Sequence, residues 1–221
     1  MDKFKGYFFA ALAAMAYGTN PVFAIPLYET GMNPNTVLLF RYCFGIPLLA
    51  ILMIIRKIDF NLHKEEILPV FILSILMALS SLTLFESYNY MNSGIASTLL
   101  FVYPIMVAMI MIFFFKDHFK LSLVFCFIFM ILGLFFLMKP SGEQPLSTFG
   151  FMLVMVSALT YAIYIVLVNV SKKINRIPTT KLLFYVLIFG STVFLFKIAT
   201  GISLTLPVIS YSWFNLVALA F

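Results

Sequence analysis

The sequence predicts an all-α polytopic membrane protein, an inverted repeat of five-helix units that is truncated here to seven full spans plus the start of an eighth. Three observations lead to this prediction. Hydrophobic residues make up 63% of the 221-residue chain and charged residues only 10%, whereas soluble domains usually carry about 25% charged residues. The apolar residues are gathered into long stretches. The sequence also repeats itself at a constant offset of 144 residues.

Seven apolar stretches approach or exceed the length of about 20 residues that a membrane-spanning helix needs. They are Gly6–Leu27, Pro34–Ile55, Ile67–Tyr88, Gly94–Phe115, Leu121–Met138, Phe149–Val170 and Pro178–Thr200. An eighth begins near Ser212, and the sequence stops at Phe221 inside that apolar run. Since a helix end in hydrocarbon leaves carbonyl groups unsatisfied, we expect the sequence to be a fragment.

The repeat is clearest in the segment PNTVLLF at 34–40, which matches PTTKLLF at 178–184 at five of seven positions. A unit with an odd number of spans places its second copy upside down in the membrane, as in inverted-repeat transporters. We therefore predict a first repeat over 1–138 (spans one to five), a linker over 139–148, and an incomplete second repeat over 149–221.

The Lys and Arg residues predict the orientation in the membrane, because cations near span ends stay on the cytoplasmic side. A cytoplasmic N-terminus collects eleven of the fourteen cations on the inner side. These are Lys3, Lys5, Arg56, Lys57, Lys64, Lys116, Lys120, Lys172, Lys173, Arg176 and Lys181. We interpret the net charge of +6 as a signal of topology in a cell (plasma or inner) membrane. The lipid bilayer is then the partner of the basic surface, and nucleic acid is not expected.

Polar residues around Pro21 mark the middle of the first span. Tyr17 lies eleven residues into this span, about 16 Å deep in a hydrocarbon core about 30 Å thick, and Asn20 follows it closely. Its repeat partner Tyr161 reaches the same depth in the sixth span, with Tyr164 one turn further on. We predict that these residues line a central substrate cavity, although tyrosines at these positions also fit ordinary helix packing.

Arg41 is the one cation well inside a predicted span, about 10 Å from its outer end. A charge at that depth costs several kcal/mol unless it finds water or a partner. Two interpretations stay open. The side chain either snorkels outward, or it faces Glu86, Glu29 or a carboxylate of the substrate.

Several kinds of chemistry are disfavoured by the sequence. No Asp, Glu or His lies near the middle of any complete span, so a built-in proton relay is not visible. Cys43 and Cys126 lie inside predicted spans and indicate neither a disulfide nor a metal site. No phosphate-binding loop is present, which argues against ATP as the energy source. We expect no cofactor, no metal and no enzymatic activity.

The stretch 87–120, SYNYMNSGIASTLLFVYPIMVAMIMIFFFKDHFK, resembles EamA-type members of the drug/metabolite transporter superfamily. The similar features are Tyr88 at the end of the third span, Tyr103 with Pro104 near the middle of the fourth, and Asp117 just after it. Relatives usually carry Glu at this last position. The resemblance implies ten spans and an alternating-access carrier, often an exporter, of metabolites such as amino acids or of drugs.

The leading hypothesis is therefore a secondary carrier with its cavity between the two halves. Its expected substrate-binding residues are Tyr17, Asn20, Arg41, Tyr103, Tyr161 and Tyr164. The competing hypothesis is a non-transporting polytopic membrane scaffold or receptor. A channel is disfavoured because no ring of like charges or polar stripe crosses the spans. The sequence leaves open the identity of the small-molecule substrate, the transport direction, the coupling ion and a homodimeric assembly.

Overall fold

Helices make up all the regular secondary structure in the described part of the chain. The computed structural model describes residues 6, 8, 12, 15, 16, 18–116, 124, 125, 128, 129, 131–133, 147–201, 203–207 and 210–220. The helices are α1 (Asn20–Glu29), α2 (Pro34–Ile55), α3 (Lys64–Ser87), α4 (Ser93–Leu100), α5 (Tyr103–Phe115), α6 (Thr148–Val170), α7 (Thr179–Ala199) and α8 (Ser210–Ala220). A short 3₁₀ helix, Ile174–Arg176, lies between α6 and α7. The prediction of a helical protein is confirmed for these residues.

Five segments within the described ranges are long and apolar enough to cross a membrane. They are Pro34–Ile55, Lys64–Ser87, Ser93–Phe115, Thr148–Val170 and Thr179–Ala199, which correspond to predicted spans two, three, four, six and seven. The prediction of a multi-pass membrane protein is thereby confirmed. Most of the predicted fifth span, most of the linker over 139–148 and much of the first span lie outside the described residues. The count of seven spans and the inverted repeat stay predictions.

Polar side chains fix several helix starts by satisfying backbone N–H groups that have no partner within the helix. The side-chain oxygen of Asn33 accepts the N–H of Thr36 at 2.9 Å and so caps α2. At α3 the roles are reversed, and the carboxylate of Glu66 accepts the N–H of His63 at 3.1 Å. The third span consequently begins at Lys64, about one turn earlier than the hydropathy alone predicts.

The helices α2 and α7 pack closely along a contact that we call the α2–α7 seam, formed by Tyr42, Gly45, Leu187 and Gly190. A Cβ added to Gly190 would stand 2.7 Å from Cε2 of Tyr42. A Cβ added to Gly45 would stand 2.9 Å from Cδ1 of Leu187. On each helix, a glycine thus leaves a notch that a large side chain of the other helix fills. Small residues allow this kind of close approach between helices in membranes.

A second close contact joins α3 to α6 through a pair of buried serines. The hydroxyl of Ser80 donates to the carbonyl of Ser157 at 3.0 Å, and the hydroxyl of Ser157 donates to the carbonyl of Ser80 at 2.7 Å. Both residues are buried. Small hydroxyl residues of this kind hold membrane helices together without exposing unpaired polar groups to lipid.

The inner-side cations of the described residues meet at one end of the helix bundle. Lys173 Nζ lies 3.2 Å from Glu65 Oε2 in an exposed ion pair. The guanidinium of Arg56 donates to the hydroxyl of Thr180 at 3.4 Å. These contacts bring the ends of α2 and α6 together with the starts of α3 and α7. Their clustering agrees with the positive-inside rule, while the orientation of the N-terminus itself stays a prediction.

Replacing Gly190 by alanine should loosen the α2–α7 seam, because the new methyl group would overlap the Tyr42 ring. We expect a loss of about 1–3 kcal/mol of stability, measured as a lower midpoint of thermal unfolding in detergent. The matched control is Gly133→Ala, where no atom of the described residues lies within 4 Å of an added Cβ. Combined with Tyr42→Leu, the substitution should cost less than the sum of the two separate losses. An unchanged midpoint for Gly190→Ala would contradict the packing.

Candidate functional site

The first span is interrupted near its middle, where Pro21 lies. Residues 16 and 18 are helical, Thr19 forms a turn, and α1 begins at Asn20. Both the N–H and the hydroxyl of Thr19 donate to the carbonyl of Ala16, at 3.3 and 2.7 Å. The turn therefore satisfies its own donor, as an interruption at membrane depth requires. The helix is thus interrupted just before Pro21, which lies in the first turn of α1.

The fourth span is also interrupted, so the single helix predicted over Gly94–Phe115 is in fact two. Helix α4 ends at Leu100, and α5 starts with Tyr103 and Pro104. Between them, the N–H groups of Phe101 and Val102 bond to carbonyls three residues back at 3.1 and 3.0 Å. The reason is that Pro104 has no N–H to donate to the preceding turn. By contrast, α2 continues through Pro47 without a break.

Three of the predicted site residues form one aromatic cluster beside the break in the fourth span. Tyr103 meets Tyr161 edge-on with ring centroids 4.8 Å apart. Tyr161 in turn stacks on Tyr164 at 5.9 Å with the rings only 10° from parallel. Tyr164 is buried, while the other two rings are partly exposed. The cluster joins α5 to α6 and presents hydroxyl groups together with ring faces, a combination suited to amphipathic ligands.

Asn20, at the break in the first span, is 6% exposed, and its amide nitrogen Nδ2 has no hydrogen-bond partner. Two further buried amides share this property: Oδ1 of Asn35 on α2 and both polar atoms of Asn215 on α8. Helix α8 packs against both α1 and α2. Buried polar groups are nearly always paired, so these amides are the buried side chains of the described residues with hydrogen-bonding capacity left for a polar ligand. Sequence reasoning missed Asn35 and Asn215, although a lone Asn in the apolar run of α8 was a usable signal.

Arg41 lies over the ring of Phe85, with Cζ 5.6 Å from the centroid. Phe85 is buried and stacks at 5.3 Å against Tyr88. Within the described ranges, no carboxylate lies within 4 Å of this guanidinium. Arg41 thus forms no ion pair with Glu86 or Glu29 in this structure, and the choice between an outward side chain and one that faces a carboxylate stays a prediction. A guanidinium on an aromatic face is stabilised by the ring quadrupole and keeps its N–H donors available.

The sixth predicted site residue, Tyr17, lies outside the described residues. Of the other five, the structure brings Tyr103, Tyr161 and Tyr164 into contact, and gives Asn20 and Arg41 separate surroundings. No group of three or more His, Cys, Asp or Glu that could hold a metal converges in the part of the chain that the structure describes. The described residues offer hydrogen-bonding groups, a cation and aromatic faces. These groups are suited to binding a small molecule.

Replacing Asn215 by leucine should stabilise the substrate-free protein, because a buried amide without partners costs about 1–3 kcal/mol. We expect a higher midpoint of thermal unfolding in detergent. The matched control is Asn33→Leu, which removes an amide that bonds to Thr36 and Ser203 and should lower the midpoint. A drop for Asn215→Leu as large as that of the control would mean that the amide is satisfied after all.

Comparison with known proteins identifies the family. Residues 4–139 match the model of the EamA-like transporter family. A solved structure titled only "Crystal structure of protein" superposes with a TM-score of 0.72 at 14% sequence identity, covering 94% of this chain and 71% of that one. At that identity the likeness concerns the fold alone. No curated protein matches the sequence. Since the family match covers more than half of the sequence, this chain belongs to the EamA-like transporter family.

Proposed function

We propose that the protein is a secondary carrier, working as an exporter by alternating access, for small metabolites such as amino acids. Membership of the EamA-like transporter family makes it a membrane transporter of the drug/metabolite type. The cargo, the direction and the mechanism are the proposal. The alternative is a polytopic scaffold or receptor that transports nothing.

The observation that carries the proposal is the pair of interrupted spans with polar side chains at each break. Carriers commonly build their binding sites where helices break near the membrane midplane. Here Asn20, with an unpartnered Nδ2, stands at one break. Tyr103 stands at the other break and meets Tyr161 edge-on. The rings also pack α5 against α6, and both features are consistent with contacts to a small polar solute.

Arg41 supports a substrate that carries a carboxylate. Its guanidinium has a ring beneath it at 5.6 Å and no carboxylate within 4 Å in the described part of the chain. A cation in hydrocarbon is costly when it lacks a partner. A substrate carboxylate would supply bidentate hydrogen bonds to the planar guanidinium. We assign Arg41 the role of contacting this group.

The pattern of helix contacts supports the inverted repeat that alternating access uses. At the offset of 144 residues, α1 corresponds to α6, α2 to α7 and α3 to α8. Helix α3 packs against α6 and α7, and α8 packs against their counterparts α1 and α2. Helices α2 and α7 correspond to each other, so the repeat maps the contact between them onto itself. This exchange of partners is what a pseudo-twofold relation between the halves requires.

The proposal is tested by transport from proteoliposomes loaded with a mixture of the common amino acids, with a second pool of cationic and neutral drugs. Flux of each compound is measured by mass spectrometry in both directions. We expect selective, directional flux of some amino acids above that of empty liposomes. If a folded, reconstituted protein moves nothing from either pool, the carrier assignment is wrong and the scaffold or receptor gains support.

Arg41→Gln should reduce the flux of carboxylate-bearing substrates at least about tenfold, because a hydrogen bond to a charged group contributes about 1.5–3 kcal/mol. Flux of the same compounds with the carboxylate blocked as an amide should be unaffected. Arg41→Lys should recover only part of the activity, since lysine lacks the planar fork. Lys197→Gln, a cation of another span, serves as the control. If Arg41→Gln lowered the flux of the carboxylate compounds and of their amides equally, Arg41 would not contact the substrate carboxylate.

Tyr161→Ala should lower flux strongly, because it removes the central ring of the cluster formed with Tyr103 and Tyr164. Tyr161→Phe keeps the stacking and should retain more activity. The control is Tyr211→Ala, since Tyr211 is 62% exposed on α8. Unchanged flux in both Tyr161→Ala and Tyr17→Ala, at equal expression, would show that the cavity lies elsewhere.

A further inference from the structure

The outer end of the α2–α7 seam is tied by hydrogen bonds from the loop after α7. The side chain of Asn33 donates to the carbonyl of Ser203 at 2.6 Å. The N–H of Asn33 donates to the hydroxyl of Thr205 at 3.1 Å. The N–H of Thr205 donates to the hydroxyl of Thr36 at 3.3 Å. We call this group the outer strap, and it joins residues 203–205 to the start of α2.

The inner end of the seam is tied by the loop after α2. The ammonium of Lys181 donates to the carbonyl of Asn61, and the hydroxyl of Tyr185 donates to the carbonyl of Phe60. Arg56 adds its bond to Thr180 nearby. We call this group the inner strap, and it joins the loop after α2 to the first turns of α7.

The two straps occupy equivalent positions in the repeat. At the offset of 144 residues, Thr36 corresponds to Thr180, and loop residues 59–61 correspond to 203–205. Each strap is a loop that follows one helix of the pair and bonds to the start of the other. Between the straps, each helix also offers a glycine to a large side chain of the other, Gly190 to Tyr42 and Gly45 to Leu187, although these residues lie one position away from exact equivalence at that offset.

Opening either end of this pair would be costly. Lys181 is 8% exposed, and its recorded hydrogen bond is the one to the Asn61 carbonyl, so separation would leave a buried cation without that partner. Separation along the seam would lift Tyr42, which is 3% exposed, out of its notch. Both straps are closed in the same structure. If they were alternating gates at opposite membrane faces, they would be closed together only in an occluded intermediate.

The symmetry of the inverted repeat is a second reason to expect that α2 and α7 stay together during transport. In an inverted repeat, the inward-facing and outward-facing states exchange the conformations of the two halves. For a pair of helices that correspond to each other, this exchange swaps the two ends: the outer end in one state takes the conformation that the inner end has in the other. Because both ends are closed in this structure, both are also closed in the exchanged state. We propose that α2 and α7, joined by the seam and held by a strap at each face, form the fixed axis about which the other helices move. This inference rests on the proposed alternating access.

The test cross-links both straps in a protein carrying Cys43→Ala and Cys126→Ala. For the outer strap, Thr36→Cys and Thr205→Cys replace hydroxyl oxygens that are 3.5 Å apart, a separation compatible with a disulfide. For the inner strap, Arg56→Cys and Thr180→Cys are joined by a short flexible bis-methanethiosulfonate, which forms a disulfide with each thiol, releases methanesulfinate and leaves links that a reductant cleaves. The single variant Thr36→Cys, treated identically, is the control.

The first readout is the rate at which the second link forms once the first is in place, and it needs no substrate. A fixed axis keeps both straps closed, so the second link should form at about the same rate as in an unlinked protein, within roughly twofold. If the straps are alternating gates, closing one holds the other open. A second link slowed tenfold or more would overturn the proposal.

The second readout is flux of the amino-acid mixture from proteoliposomes. The doubly linked protein should keep about half or more of the flux of the unlinked protein, because only helices outside the pair must move. Loss of flux on linking, restored by cleaving the links, would overturn the axis. If the unlinked protein moves none of the amino acids, the proposed function fails, while the linking rate still decides whether the straps separate.

Discussion

The need to satisfy every backbone polar group within hydrocarbon governs this fold. It explains why each described span is helical and why the two interruptions take the form of tight turns. At Thr19 and at Phe101, the N–H groups find carbonyls three residues back, so the breaks leave no donor of these residues unpaired. The breaks lie next to Asn20 and Tyr103. Two of the residues proposed to bind the substrate thus stand where the regular helix is interrupted.

Hydropathy predicted those features that depend on each helix alone. The second span agrees with α2 at both ends, and the sixth begins within one residue of α6. The split of the fourth span was not predictable, because a proline such as Pro104 fits a kinked helix as well as a broken one. The contacts between neighbouring helices could not be predicted either, because apolar helices can pack against one another in many equivalent ways. The position of Arg41 over the ring of Phe85 is of this kind, because no sequence pattern pairs these two residues.

The described site residues divide into two kinds of recognition. The rings of Tyr103, Tyr161 and Tyr164 present apolar faces with hydroxyl edges, which tolerate a range of side chains. Arg41 and Asn20 offer directional hydrogen bonds in an apolar setting, where a wrongly placed polar group is costly. A site of this composition would discriminate strongly at one end of its ligand and weakly at the other. A family in which cargo varies widely needs such a division, because the aromatic wall can change without loss of the polar contacts.

On the proposed inverted repeat, symmetry alone would make the two facing states equal in energy, so a preference for one facing state must come from positions where the halves differ. The pairs at the offset of 144 residues identify such positions: Arg41 corresponds to Tyr185, and Lys181 corresponds to Val37. Each places a cation in one half where the other has none, near opposite ends of the same helix pair. Because a charge interacts with the membrane potential and with anionic headgroups according to its depth, these unpaired substitutions would favour one state over the other. The fixed axis would then carry the asymmetry that favours one facing state, and through Arg41 on α2 it would also contact the substrate.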